Sequence, residues 1–184
     1  MTDLDTVSTP HKPAPFVNTV LRFGGFFAVG LVVLSLIYYL TDFNLMTLSG
    51  IAINFIVSLL MAISVAALAI QFQRDRLDGG FISFGRAFLI GLLSLALGVF
   101  GSSVWNFVFI NFIDPDYIDN LKEKFVDTWG DSMPAAALEE TMTKFDQSGE
   151  LATVLSNGGM GAVIFGLIGG LIAAAIMKRD RPLK

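Results

Sequence analysis

Four stretches of this chain contain no charged side chain and are each long enough to cross a bilayer: about Phe23 to Leu40, Gly50 to Ile70, Ala87 to Ile110 and Gly158 to Met177. A helix rises ~1.5 Å per residue and needs ~20 apolar residues to cross a hydrocarbon core of ~30 Å. Inside that core each backbone N–H and C=O must be satisfied within its own segment, which apolar runs of this length achieve only as helices. The expected fold is therefore all-α, a four-helix transmembrane bundle. Composition agrees, since only 15% of the 184 residues are charged, against ~25% in soluble domains.

Basic residues mark one end of this bundle. Lys12, Arg22, Arg74, Arg76, Arg86, Lys178, Arg179, Arg181 and Lys184 all flank the same ends of the spans, and they are nine of the twelve Lys and Arg residues. The positive-inside rule places that end, with both termini and the Arg74 to Arg86 connection, in the cytoplasm. Arg22 is expected to snorkel at the inner end of the first span, with Tyr38 and Tyr39 at its outer end. Residues 1–15 are polar, include three prolines and read as a disordered cytoplasmic tail, leaving 16–184 as a single membrane domain. The first apolar run is too long for a signal peptide and lacks a small-x-small cleavage site, so it reads as a retained anchor.

The remaining three lysines, Lys122, Lys124 and Lys144, lie with ten acidic residues between Asp114 and Glu150, on the opposite side. This segment is patterned. Asp114-Pro115-Asp116 is a helix-start signal, and Ile118, Leu121, Phe125 and Trp129 recur at helical spacing. Gly130 ends that helix, Ser132 and Pro134 start another, and Leu138, Met142 and Phe145 form its apolar stripe before Gly149. The expectation is an amphipathic helical hairpin over about 114–149 between the third and fourth spans on the non-cytoplasmic side, lying on the membrane or capping the bundle.

The spans carry small residues at helical spacing. Gly158, Ala162, Gly166, Gly170 and Ala174 flatten one face of the fourth span. Such faces let helices approach closely where lipid removes the hydrophobic drive between them. Packing against the chain's own spans is the plain use, and a homo-oligomer or a protein partner, reached through this span or the outer hairpin, is the alternative. The third span repeats the pattern with Ser94, Gly98, Ser102 and Asn106, and the second with Asn54, Ser58, Ala62 and Ala66. The second and third faces are expected to meet, bringing Asn54 and Asn106 to similar depth for an interhelical hydrogen bond worth ~0.6 kcal/mol.

The side chains that chemistry needs are scarce. Cysteine is absent, which removes disulfides, thiolate nucleophiles and thiolate metal sites. The one histidine, His11, lies between Pro10 and Pro13 without ligand partners nearby and reads as a bystander. Pumps and transporters place ionisable groups at membrane depth, and these spans hold none. Adjacent Glu139 and Glu140 point apart on a helix and read as a solvated face. No enzyme, metal, cofactor or nucleic-acid role is expected. Membrane lipid is the expected partner, with Arg74, Arg76 and Arg86 as candidate headgroup ligands beside the plainer reading that they only set topology.

The most distinctive local stretch is Asp78-Gly79-Gly80-Phe81-Ile82-Ser83-Phe84-Gly85-Arg86-Ala87-Phe88, followed by Gly91, with Ser83 placed to cap the third span. It resembles the hallmark of a bacterial family of small four-span membrane proteins known only as a domain of unknown function. Phe112-Ile113-Asp114-Pro115-Asp116-Tyr117, the acidic hairpin and the ending Ile176-Met177-Lys178-Arg179 extend that resemblance from roughly Phe16 to Arg179. The resemblance implies an architecture, carries no reaction, and implies a multi-pass protein of the bacterial inner membrane. The functional expectation is a non-enzymatic accessory or structural subunit of a membrane complex. The alternatives are a lipid-binding helper of a membrane glycosyltransferase, or a small-solute carrier or channel built on Asn54, Ser58, Ser102 and Asn106.

Overall fold

The computed structural model describes residues 14–180. The readings of His11, Lys12, Arg181 and Lys184 lie outside those residues. Six α-helices follow one another: α1 (Val17–Leu40), α2 (Leu48–Phe72), α3 (Phe84–Val108), α4 (Tyr117–Trp129), α5 (Ala135–Asp146) and α6 (Leu151–Met177). Helices α1, α2, α3 and α6 are the four apolar spans.

Each span is longer than its uncharged run. α2 continues through a wider π turn at Gln73–Leu77 and α3 through another at Phe109–Ile113, so each extends over 30 residues. At ~1.5 Å per residue this matches the bilayer with its headgroup layers, where charged turns such as that of Arg74 are tolerated. For the same reason α1 begins before Arg22, and α6 begins seven residues ahead of Gly158.

Around the bundle the order is α1, α3, α6, α2, with α2 and α3 also touching across the middle. Glycine and bulk complement each other at the seams. The fully buried Phe27 of α1 lies on Gly98 of α3, where an added Cβ would stand 2.5 Å from its ring. Gly24 lies against Ser94 and Leu97 on the same seam. Nearer the start of α3, a Cβ on Gly91 would stand 3.1 Å from the Gly170 Cα of α6, and one on Gly166 would strike Leu92. These approaches are the close backbone packing that small residues permit in lipid.

This corrects the expected pairing of the second and third ladders. Ser94 and Gly98 of α3 receive α1, while Ala66 of α2 meets α3 one turn earlier, at Gly91, and Ala62 meets Gly169 of α6. Asn54 accepts from Ser58 of its own helix at 3.4 Å. Asn106 lines two crevices, one with Ser103, Asn157 and Gly158 and one with Ser35, Tyr39 and Trp105, and neither includes Asn54. The reason is steric: the ring of Phe27 needs the hollow at Gly98, so α1 takes the face that polarity alone assigned to α2.

The hairpin forms as expected and is docked on the end of the bundle. Helices α4 and α5 meet through Phe125 and Phe145, with ring centres 5.6 Å apart. A 3-10 turn at Gly130–Ser132 ends α4, and Pro134 caps α5 from just outside rather than as its first helical residue. The Trp129 indole donates to the Met46 carbonyl at 2.7 Å, Lys124 pairs with Asp42, and Asn111 donates to the Gly149 carbonyl at 3.0 Å.

Candidate functional site

The most densely bonded polar cluster among the described residues lies at the basic end, where the ends of all four spans converge. The hydrogen bonds of the π turn after α2 reach one residue further than those of an α-helix, and the turn leaves Gln73 fully buried. A buried amide needs partners for both its oxygen and its nitrogen. Thr19 of α1 donates its hydroxyl to Gln73 Oε1 at 2.6 Å, while Gln73 Nε2 donates to the Ala14 carbonyl and to Asp78 Oδ1, both at 3.3 Å. Asp78 Oδ1 also accepts from the Ala14 N–H at 3.1 Å. Ala14, which the sequence reading counts with the tail, is therefore held by the membrane domain.

The Asp78 side chain is 5% exposed, and a carboxylate so placed requires a cation. Arg86 supplies it in a two-pronged grip, Nε to Oδ2 at 2.7 Å and Nη2 to Oδ1 at 3.1 Å, while also donating to the Ala14 carbonyl. Its guanidinium lies 5.5 Å from the Phe16 ring. The turn bringing Asp78 back over Arg86 passes through Gly79 and Gly80, at φ 69° and 88°. A Cβ on Gly80 would meet nothing within 4 Å, so glycine is required there for its backbone freedom.

Two further ties close this end. Ile82 and Arg179 form an antiparallel bridge, with N–H to carbonyl distances of 2.9 and 3.0 Å. Arg74 donates to the Met177 carbonyl at 3.0 Å and grips Asp75 through both carboxylate oxygens, at 2.6 and 3.1 Å. Ser83 stands at the N-cap of α3 as expected, but its carbonyl takes the first helical bond while its hydroxyl makes no capping bond.

The candidate headgroup arginines therefore divide. Arg74 and Arg86 are occupied within the fold, and Arg76 is exposed and forms no ion pair among the described residues. Arg76 lines a cleft of about 420 Å³ between α1 and α2 with Phe23, Leu68, Gln71, Phe72 and Asp75. Arg22 lies over two of these walls, 5.2 Å from the Phe72 ring and 5.9 Å from that of Phe23. Sequence reasoning missed Thr19, Gln73 and Asp78; the signal available was an Asp and an Arg on either side of a Gly-Gly turn.

Of the candidate packing residues, Gly158, Gly166, Gly170 and Ala174 are buried, and Ala162 lies partly buried against the core. Gly158 meets Ser103, and Gly170 meets Leu92. Ser94 is fully buried, and its hydroxyl has no partner among the described residues. Ser102 donates to the Val99 carbonyl of its own helix at 2.8 Å.

At the acidic end a cavity of about 460 Å³ opens along the seam where α4 meets the α1–α2 connection. Tyr38, Phe43, Tyr117, Glu123 and Asp127 are among its walls. The Tyr38 and Phe43 rings stack at 5.1 Å. Burial, reinforced by the nearby charge of Asp114 and by Tyr39, raises the Tyr117 hydroxyl above its ordinary pKa. No group of three or more metal-ligating side chains occurs among the described residues.

No curated protein and no solved structure matches this chain. The profile of one family, described as protein of unknown function DUF4199, matches residues 22–179. That span runs from Arg22 above the cleft to Arg179 in the closing bridge, and takes in the Gly-Gly turn, the Asp78–Arg86 grip and the hairpin. This multi-span membrane protein belongs to the DUF4199 family.

Proposed function

We propose that this protein is a non-enzymatic accessory subunit of a membrane complex, with the α4–α5 hairpin as its partner-facing element. The observation that carries the reading is the way the hairpin is mounted. It is fixed to the bundle by Trp129, Lys124 and Asn111, yet neither α4 nor α5 buries a single residue completely. A free loop would serve to join α3 to α6. A rigid acidic platform, with Asp116, Asp127, Asp131 and Glu139 exposed and without ion pairs among the described residues, suits a basic partner surface. The small-residue face of α6 is largely taken up by α3 of the same chain, which leaves the hairpin as the more available contact. In this reading the basic end faces the cytoplasm of a bacterial inner membrane, following the positive-inside rule.

Photo-crosslinking in intact cells tests it, with the reactive group at Asp131 or Glu139 and at lipid-facing Val33 as control. The expected result is a discrete protein adduct from the hairpin positions, absent at Val33, and lost from the Glu139 position when Asp116, Asp127 and Asp131 become Asn. No adduct from any hairpin position, together with recovery of a bare monomer in several mild detergents, would overturn the reading.

A further inference from the structure

We infer that the cleft between α1 and the last turns of α2 binds one anionic phospholipid, with its phosphate held by Arg22 and Arg76 and an acyl chain along Phe23, Leu68 and Phe72. The inference is independent of the hairpin reading. Its first support is the distribution of charge at the basic end. Arg86 is taken up by Asp78 and Arg74 by Asp75. Asp75 is the one carboxylate in the cleft wall, and both of its oxygens are engaged by Arg74. Two exposed guanidiniums without a carboxylate partner among the described residues remain here, Arg76 in the cleft wall and Arg22 beside it, over the rings of Phe23 and Phe72.

The second support is the form of the cations. Arg22 rests on aromatic rings, 5.2 Å from Phe72, 5.8 Å from Phe26 and 5.9 Å from Phe23. A guanidinium seated on a ring is partly immobilised, and its in-plane N–H donors remain free for a planar, two-pronged grip on phosphate. Less side-chain freedom is then lost on binding. The third support is location. Arg22 lies in the second turn of α1 and Arg76 in the closing π turn of α2, at headgroup depth, while Leu68 is 54% exposed toward the acyl region. A cleft of about 420 Å³ lies in the range of small-molecule sites. An anion at one end and an apolar wall running toward the bilayer centre suit a lipid of the same leaflet better than a free phosphate.

Native mass spectrometry of the full-length protein, transferred from nanodiscs of equal phosphatidylglycerol and phosphatidylcholine, tests the site. The expected result is one retained phosphatidylglycerol, favoured over phosphatidylcholine by about tenfold, with that preference lost in Arg22→Gln/Arg76→Gln. The control Lys178→Gln/Arg179→Gln removes the same charge from the same end outside the cleft and keeps the preference. Arg76 is exposed and unpaired, so Arg76→Gln alone carries the test if the double variant fails to fold; unchanged retention in it overturns the inference. Equal loss in the control also overturns it, by reducing the effect to bulk charge. Glycerol phosphate at matched concentration leaves the lipid bound, and displacement by it would show a phosphate site rather than a lipid site.

Discussion

Arg86 reaches back across the Gly79-Gly80 turn to hold both oxygens of Asp78, at 2.7 and 3.1 Å. Removing Arg86 leaves the buried Asp78 carboxylate without a cation. Arg86→Ala is expected to lower unfolding free energy by about 3 kcal/mol. Arg86→Lys should recover only part of it, because an ammonium cannot form the fork. Unfolding in mixed micelles measures both, and equal stability of Arg86→Ala and the native protein would contradict the assignment.

The seam of α1 on α3 gives a steric prediction. An added methyl on Gly98 would stand 2.5 and 2.7 Å from atoms of Phe27, whereas one on Gly159 of α6 would meet nothing within 4 Å. Gly98→Ala is expected to destabilise by about 1 to 3 kcal/mol through overpacking. Gly159→Ala should be neutral, or stabilising by up to about 1 kcal/mol as a helix interior loses a glycine. Thermal melts of the two variants in one detergent separate the outcomes.

Docking of the hairpin rests partly on the indole of Trp129. Trp129→Phe keeps an aromatic ring but leaves the Met46 carbonyl without its donor. The net loss is about 1 kcal/mol, which corresponds to roughly fivefold faster opening of α4. Amide hydrogen exchange should speed up in α4 and stay unchanged in the four spans.

The hairpin also has a defined pH window. The hydrogen bonds that the Lys122 ammonium donates to Asp146 and Asp119 raise its pKa, and burial raises that of Tyr117. For both groups the folded pKa exceeds the unfolded one, so their support is fully present below the unfolded value and lost as pH rises through the folded value. Lys144 lowers the Glu140 carboxyl, whose support is present above its unfolded pKa and lost as pH falls through the folded one. Fluorescence of Trp129 in a Trp105→Phe background should stay constant through neutral pH. It should change only as pH rises past the ordinary values of 10.0 and 10.5 or falls below 4.5. A transition near neutrality would contradict this assignment.

The spans and the hairpin were legible because apolar length and helical period are local properties. The hairpin's apolar stripe, Ile118, Leu121 and Phe125, announces one helix face before any neighbour is known. Which helices touch is not a local property. Ser94, Gly98, Ser102 and Asn106 mark a face of α3, but only the ring of Phe27, in a different span, decides that α1 fills it. The basic-end cluster was hidden for a related reason. Gln73 lies in a polar run, Gln71-Phe72-Gln73-Arg74-Asp75-Arg76, that reads as solvated connection. A π turn carries Gln73 into the interior, and nothing in the sequence pattern announces that change of winding.

The bridge between Ile82 and Arg179 also bears on biosynthesis. The ribosome completes the α2–α3 connection long before it makes the residue that Ile82 pairs with, and Arg74 likewise has to wait for the Met177 carbonyl. Until α6 has been inserted, a newly made chain exposes unpaired backbone groups at this end. The finished bridge thus distinguishes a fully inserted protein from a stalled intermediate that still lacks α6.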